Sequence, residues 1–334
     1  MKKRIAILVA LVLTLSLVFA VTASAQKAKN LNMAITASET SSWYVGAVRF
    51  KEIIEEKTEG RYTISIFPNE QLAGGDQQRG VEMIYTGESD VDLHSTMIHS
   101  NIEPKLAAIS MPFMYKSLEE VDAKLIHNET AMAAVAKLVE DKGIVLLGIG
   151  ENGFRQLTNS KHTIKVPADL DKMKIRVPNI QLNLDIFRAL GADPTAMAWG
   201  EVYTSLQQKT IDGQENPLDT IRSNNVQEVQ KFMSLWNYSY DPLLLTVSGQ
   251  LWESLSDADK AIFKEAGAAA MEEQRNVTRE RNVALEKEFA DGGMEVYSNT
   301  DEEKDAFKAE LTDLIKTYEE KLGKDLLTAL GYYE

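Results

Sequence analysis

Apolar positions along this chain switch repeatedly between helical and strand spacing. Ser41 and Ser42 can cap a helix in which Val45, Val48 and Ile53 recur on one side until Gly60 stops it, and Tyr62, Ile64 and Ile66 then alternate with polar neighbours up to Pro68. The spacing therefore predicts a helix followed by a strand. Further on it predicts a helix over residues 75–85, a short strand around Val91 and Leu93, a turn at Met111-Pro112-Phe113 and a helix over about residues 118–141. Residues 144–149 are a continuous apolar run, as in a strand buried on both faces. Residues 174–177 read as another strand ended by Pro178, residues 181–190 as a helix closed by Gly191, residues 201–208 as a short helix, and residues 214–217 as a second strand end or loop. A long helical pattern covers residues 256–290, with Asp257 and Asp259 in its first turn, and residues 302–329 are helical, acidic and amphipathic. Strand and helix in this alternation predict an α/β fold.

The chain starts with Lys2, Lys3 and Arg4, an almost wholly apolar run over residues 5–21, and Ala23-Ser24-Ala25, the layout of a secretory signal cleaved after Ala25. A retained membrane anchor is the alternative, but the run is near the lower length limit of a spanning helix and ends in small residues. A periplasmic location is the expectation. With no cysteine in 334 residues, neither disulfides nor a lipid-modified cysteine is available, and the hydrophobic cores alone must hold the fold. The net charge of −14 becomes −17 once the three positive residues of the signal are removed, which disfavours nucleic acid and anionic lipid as partners. A negatively charged ligand would need a local basic pocket.

Candidates for such a pocket lie in residues 151–217. Arg155, in NGFRQ, and Arg176, in KIRVPN, each offer a planar fork of donors that can meet a carboxylate through two parallel hydrogen bonds, and Asn216, in QENP, adds a neutral donor and acceptor. Arg176 and Asn216 fall at predicted strand ends, where ligands sit in open α/β sheets. Each has a plainer reading: an arginine at a strand end is often a surface ion pair, Asn216 before Pro217 a turn residue, and Trp199 core. Gly148-Ile149-Gly150-Glu151-Asn152-Gly153 matches a dinucleotide-binding spacing, but no helix opens at its last glycine, and the glycines are read instead as a crossing between two domains. His94 alternates with Asp90 and Asp92 on one strand face. Three ligands packed so closely in sequence are geometrically awkward, and neither a metal nor any cofactor is expected. Without a cysteine, a G-x-S-x-G elbow or a phosphate loop, nucleophilic and phosphoryl-transfer chemistry has no visible machinery. A structural or adhesive module would not need two domains with convergent arginines.

The runs NGFRQLTNSK, KIRVPN, LGADPTAMAWGEVYTSLQQKTIDGQENP and EVQKF, together with the signal segment, resemble the extracytoplasmic solute-binding subunits of TRAP (tripartite ATP-independent periplasmic) transporters, the DctP family, over essentially the whole mature chain. FPNEQLAGGDQQ is similar to the family's first-domain signature, with Ala73 standing before Gly74. The resemblance implies an α/β, two-domain periplasmic-binding-protein fold with a hinge and a long domain-spanning helix. The first domain would comprise residues 26–150 and about 242–280, the second residues 151–241 and about 281–334, with hinge segments near Gly150 and Asp241. Arg176 would make the salt bridge to a ligand carboxylate, Asn216 would orient that group, Arg155 would be a second cationic contact, and Asn179 and Trp199 would complete the wall in the second domain. First-domain contacts are expected among Trp43, Tyr44, Asp76, His94 and Ser95.

The implied ligand is a small organic acid captured by domain closure. A sugar acid such as a uronate is favoured, because Trp43, Tyr44, His94 and Trp199 suit rings and hydroxyls. A C4-dicarboxylate (succinate, malate or fumarate) is the alternative, and a secreted enzyme the remote one. The implied partners are the small and large membrane subunits of the transporter, driven by an ion gradient. The binding protein itself is expected to be a monomer that does no chemistry.

Overall fold

The computed structural model describes residues 28–333, so the expected signal segment lies outside the described residues. Among the described residues eleven strands form two sheets: Lys29–Ile35 (β1), Tyr62–Phe67 (β2), Val91–Ser95 (β3), Ile144–Phe154 (β4), Gln156–Asn159 (β5), Lys174–Val177 (β6), Asp193–Ala196 (β7), Gly213–Asn216 (β8), Phe232–Leu235 (β9), Tyr240–Ser248 (β10) and Glu295–Ser298 (β11). The first sheet has the order β2-β1-β3-β10-β4 and the second β11-β9-β5-β8-β6-β7. In the first, β1 runs parallel to β2 and β3, while β10 is antiparallel to β3 and β4. In the second, β6 is parallel to β7 and β8, and β5 is antiparallel to β8 and β9. Each sheet with its helices is one lobe, and the chain passes between lobes from β4 to β5 and back from β9 to β10.

Local chemistry explains most element ends. Ser41 caps the Ser42–Lys57 helix by accepting from the Tyr44 amide, and Gly60 leaves it in the left-handed region at φ 74°. The stripe this helix buries is Trp43, Gly46, Ala47, Phe50, Ile53 and Ile54, so Val45 and Val48 flank the buried face instead of leading it. The single helix expected over residues 118–141 is broken. It comprises a turn at Leu118–Val121, a π-helical stretch at Asp122–Ile126 and a separate helix, Glu129–Glu140, capped by the Asn128 side chain.

The expected crossing at Gly150 moves. β4 continues through Gly150 to Phe154, paired with β10 as far as Tyr240, and the lobes are joined where the Arg155 amide donates to Ser239 O at 2.9 Å. The glycines upstream answer to a different demand. A Cβ on Gly148 would stand 2.8 Å from Gly267 O, and one on Gly150 2.7 Å from Gln274 Oε1. Both partners belong to the Asp257–Asp291 helix, which lies directly on β4.

That helix packs Phe263, Ala266, Ala270 and Met271 into the first-lobe core beside Phe50 and Leu243, and Leu285 and Phe289 into the second-lobe core beside Val202 and Met233. It therefore spans both lobes. The chain end does not stay with the second lobe, as the assignment of residues 281–334 implied. Phe307, Leu311 and Leu327 join a core that contains Leu125 and Val135 from one lobe and Phe187 and Trp236 from the other, and the Lys324–Ala329 helix rests on the Glu129–Glu140 helix.

The close approach of helix and strand gives a test. On Gly267 a Cβ would meet Leu147 Cβ at 2.5 Å and Leu147 O at 2.7 Å, so Gly267→Ala must push the helix off β4. Urea denaturation should show a loss of about 1–3 kcal/mol, the range for overpacking a close-packed site. A midpoint equal to that of the wild type would mean the helix is not held this tightly.

Candidate functional site

The carboxyl ends of β1, β3, β6 and β8 converge on the cleft between the lobes, as a doubly wound topology requires. Between them lies a cavity with an empty volume of about 450 Å³, part of it open to solvent. Of the residues expected at a site, Trp43, Ser95, Arg155, Arg176, Trp199 and Asn216 line it.

Arg155 sits at the crossing and is locked by carboxylates. Its Nε and Nη2 form a two-toothed pair with Glu215, Nη2 also reaches Glu215 O at 2.8 Å and Asn216 Oδ1 at 3.0 Å, and Nη1 donates to Asp241 Oδ2 at 2.8 Å. Burial alone would lower its pKa, but Glu215 and Asp241 outweigh that and hold it above the ordinary arginine value. Asp241 is shared further, accepting from Ser95 Oγ and from Asn152 Nδ2 at 2.8 Å. Asn152 Oδ1 in turn accepts from Trp43 Nε1 at 3.1 Å and Thr220 Oγ1 at 2.7 Å. Tyr238 closes the cluster by donating to Glu215 at 2.7 Å. With most of its hydrogens engaged, Arg155 is a strut of the cavity wall and has little left for a ligand.

Arg176 is the opposite case. It is 1% exposed, its Nε and Nη2 donate only to Met197 O at 3.0 and 2.6 Å, and its guanidinium lies 5.3 Å from the Trp199 ring centroid. Among the described residues no carboxylate stands within ion-pair distance of it. Burial pulls its pKa down to about 9, with Glu215 opposing and Arg155 adding to the fall. A guanidinium stays charged at neutral pH, so the cavity wall carries a desolvated cation with unused donors. Asn216 beside it is 5% exposed, with Oδ1 taken by Arg155 and Nδ2 donating to Gln214 Oε1 at 2.7 Å, which leaves one amide hydrogen.

The remaining expected residues stand elsewhere. Asp76 caps the Gln77–Thr86 helix, accepting from the Gln78 and Arg79 amides. Asn179 is exposed at the cleft mouth, where its carbonyl accepts from Asn101 Nδ2 of the other lobe at 3.0 Å. Tyr44 is half-buried against the first-lobe core. His94 is wholly buried behind the wall, its Nε2 on Glu70 Oε1 at 2.8 Å and its Nδ1 on Asp92 Oδ2 at 3.0 Å. Burial opposes its charge, yet these two carboxylates raise its pKa to about 10. Sequence reasoning missed Thr36, Asn152, Thr220 and Asp241. Asp241 had a signal: a carboxylate inside the apolar run YDPLLLTV needs a buried cation.

The contrast between the arginines is testable without ligand. Arg155→Met strands Glu215 and Asp241 in the interior, which should lower stability by about 3–5 kcal/mol, whereas Arg176→Met removes an uncompensated charge and one acceptor's partner and should stay within about 1.5 kcal/mol of wild type. Equal losses in urea denaturation would refute this division of roles.

The model for bacterial extracellular solute-binding protein, family 7, matches residues 33–321. The 2,3-diketo-L-gulonate-binding periplasmic protein YiaO of Escherichia coli is 30% identical over 313 residues, covering 92% of this chain and 93% of its own. Among solved structures, a TRAP periplasmic solute-binding protein from Ralstonia eutropha with bound (S)-2-acetolactate superposes with a TM-score of 0.87 at 32% identity, covering 91% of this chain and 98% of that one. The sugar acid binding protein of Advenella mimigardefordensis in complex with galactonate superposes with a TM-score of 0.86 at 26% identity, covering 92% and 98%. The chain belongs to family 7 of the bacterial extracellular solute-binding proteins, the binding subunits of TRAP transporters.

Proposed function

We propose that this protein captures a hydroxylated monocarboxylate, a sugar acid, between its lobes and presents it to the membrane subunits of a TRAP transporter. The observation that carries the reading is the Arg176 guanidinium, buried at the cavity with no carboxylate partner among the described residues. A ligand carboxylate supplies the missing charge in a site of low dielectric, where the pair is stronger than on a surface. Trp199 offers a flat apolar face beside it. The sugar acids in the names of the Escherichia coli and Advenella relatives agree with this choice.

We assign the protein no chemistry of its own. The one serine of the wall named above, Ser95, donates to Asp241 and accepts from the Met97 amide, and neighbouring His94 turns away towards Glu70 and Asp92. Arg155 serves as the support that holds Asn216 and Asp241 in place. Export through the amino-terminal segment, with cleavage after Ala25, would leave the mature chain free in the periplasm; no helix among the described residues is long and apolar enough to cross a membrane.

Capture would proceed by closure. The Ser42 amide and hydroxyl of the first lobe both donate to Asp219 Oδ2 of the second, at 2.8 and 2.9 Å, and Ser38 Oγ donates to Ser223 O at 3.1 Å. Asp219 thus sits on the amino-terminal end of the Ser42–Lys57 helix, where a negative charge is favoured. These bonds exist only with the lobes together, and ligand bound to Arg176 on one side and first-lobe groups on the other adds to them.

Two measurements check this reading. In a thermal-shift screen of the wild type, D-glucuronate or D-galactonate should stabilise more than succinate, malate or fumarate, and calorimetry should show Arg176→Ala weakening the preferred acid by about 2–5 kcal/mol. The reverse ranking would move the assignment to C4-dicarboxylates, and unchanged affinity in the folded variant would remove Arg176 from the site. Small-angle scattering should show a smaller radius of gyration with ligand, and Asp219→Ala should blunt that change at saturation. Superimposable curves with and without a tight ligand would replace closure by a rigid preformed pocket.

A further inference from the structure

Three hydroxyl side chains line the cavity, Thr36 and Ser95 from the first lobe and Thr220 from the second. Each has only one hydrogen to donate. All three are already given to buried acceptors: Thr36 Oγ1 donates to Glu70 Oε1 at 2.5 Å, Ser95 Oγ to Asp241 Oδ1, and Thr220 Oγ1 to Asn152 Oδ1 at 2.7 Å. The acceptors are themselves fixed. Glu70 is 2% exposed and its Oε1 also receives His94 Nε2, whose other nitrogen is held by Asp92. Asn152 is 3% exposed and cannot reverse its amide, because its Nδ2 serves Asp241 while its Oδ1 receives the Trp43 indole. Ser95 further accepts from the Met97 amide and keeps one lone pair, whereas among the described residues the two threonines accept no bond and have both to offer.

We infer that Thr36 and Thr220 are specificity residues that act as obligate acceptors, so that the cavity selects, away from the carboxylate-binding Arg176, ligand groups that donate a hydrogen bond: hydroxyls rather than a second carboxylate. This rests on the sugar-acid reading and deepens it. Arg176 and the spare hydrogen of Asn216 beside it supply donors on one wall and the Gln77 side-chain amide adds donors from the first lobe, while the two threonines approach from opposite lobes with oxygen lone pairs. A second carboxylate meeting those oxygens would find no hydrogen to accept and would lose its water in exchange for nothing. A hydroxyl fits, since it can give its hydrogen to a threonine oxygen. His94 enters here as a positioning residue: it holds Glu70, and Glu70 holds the Thr36 hydrogen.

The test uses D-glucuronate and D-galactonate and, for whichever binds the wild type, its monodeoxy and monofluoro analogues, in which fluorine occupies the hydroxyl position but cannot donate. In calorimetry on the wild type, at least one deoxy analogue and the fluoro analogue at the same carbon should both bind about tenfold or more weaker than the parent, as expected when a buried acceptor loses its donor. In Thr36→Val or Thr220→Val the gap between parent and that deoxy analogue should close, and the matching Thr→Ser variant should reopen it. A fluoro analogue that binds the wild type as well as its parent overturns the inference, as does a valine variant that weakens parent and deoxy analogue by the same factor. The analogue series on the wild type needs no variant to fold. If neither acid binds while succinate does, the sugar-acid reading falls and this inference with it; if an acid binds but the analogue pattern is absent, the reading stands and only the inference fails.

Discussion

The structure depends on burying the charges of Arg155, Glu215 and Asp241 together at the point where the chain passes between lobes. Removing three ions from water is tolerable only when each finds its partners in fixed geometry, and these partners come from three places: the crossing itself, β8 of the second sheet and β10 of the first. The cluster therefore forms only when both sheets are built and both crossings are in register. It also fixes everything that hangs from Asp241, namely Ser95, Asn152 and through Asn152 the Trp43 indole and Thr220. A rigid frame results, and among the described residues that line the cavity Arg176 is left as the cation whose charge that frame does not answer.

The lobes meet through contacts of a different kind. Whereas the Ser42–Asp219 pair is buried beside Thr278 and Arg281 of the long helix, the bonds from Ser38 to Ser223 O and from Asn101 to Asn179 O are few, polar and at least partly exposed. Interfaces of that composition open readily in water. On the other side, the Asp257–Asp291 helix and the aromatic set Tyr115, Phe154 and Tyr240 keep the lobes joined through apolar packing, with ring centroids 5.4 to 5.8 Å apart. One edge is thus closed by hydrogen bonds that water can replace and the other by core that it cannot, which is the asymmetry a hinge needs.

Much of this was legible in the sequence, and the rest failed for identifiable reasons. The helix capped at Ser41, the strand over Tyr62 to Phe67, the long helix and the placing of Arg176 and Asn216 at strand ends follow from periodicity and stop signals, because those depend on neighbours in sequence. The broken helix at Asp122 and the role of Gly148 and Gly150 depend on what packs against them from far away, and no local pattern records that. First-lobe contacts fared worst. Asp76 has the residue type of a ligand group but the position of a cap, and His94 points into a strand face already filled by Asp92 and Glu70. Strand alternation says which residues share a face; which face meets the cleft depends on the sheet's partners.

The two arginines show how far composition in context can carry a functional argument. Both are buried, both lie within the most distinctive stretch of sequence, and by residue type alone both are carboxylate binders. What separates them is the supply of buried acid. Glu215 follows Gly213 and Gln214 in a short strand with every residue buried, and Asp241 is the second residue of a strand that is likewise buried throughout; each must find a cation in the interior, and Arg155, at the crossing next to both strands, is the one within reach of both. With both of these buried carboxylates thus assigned to Arg155, Arg176 has only the Met197 carbonyl. Under the proposed function a ligand carboxylate answers that charge, and Arg176 faces the cavity between the lobes where such a ligand would sit.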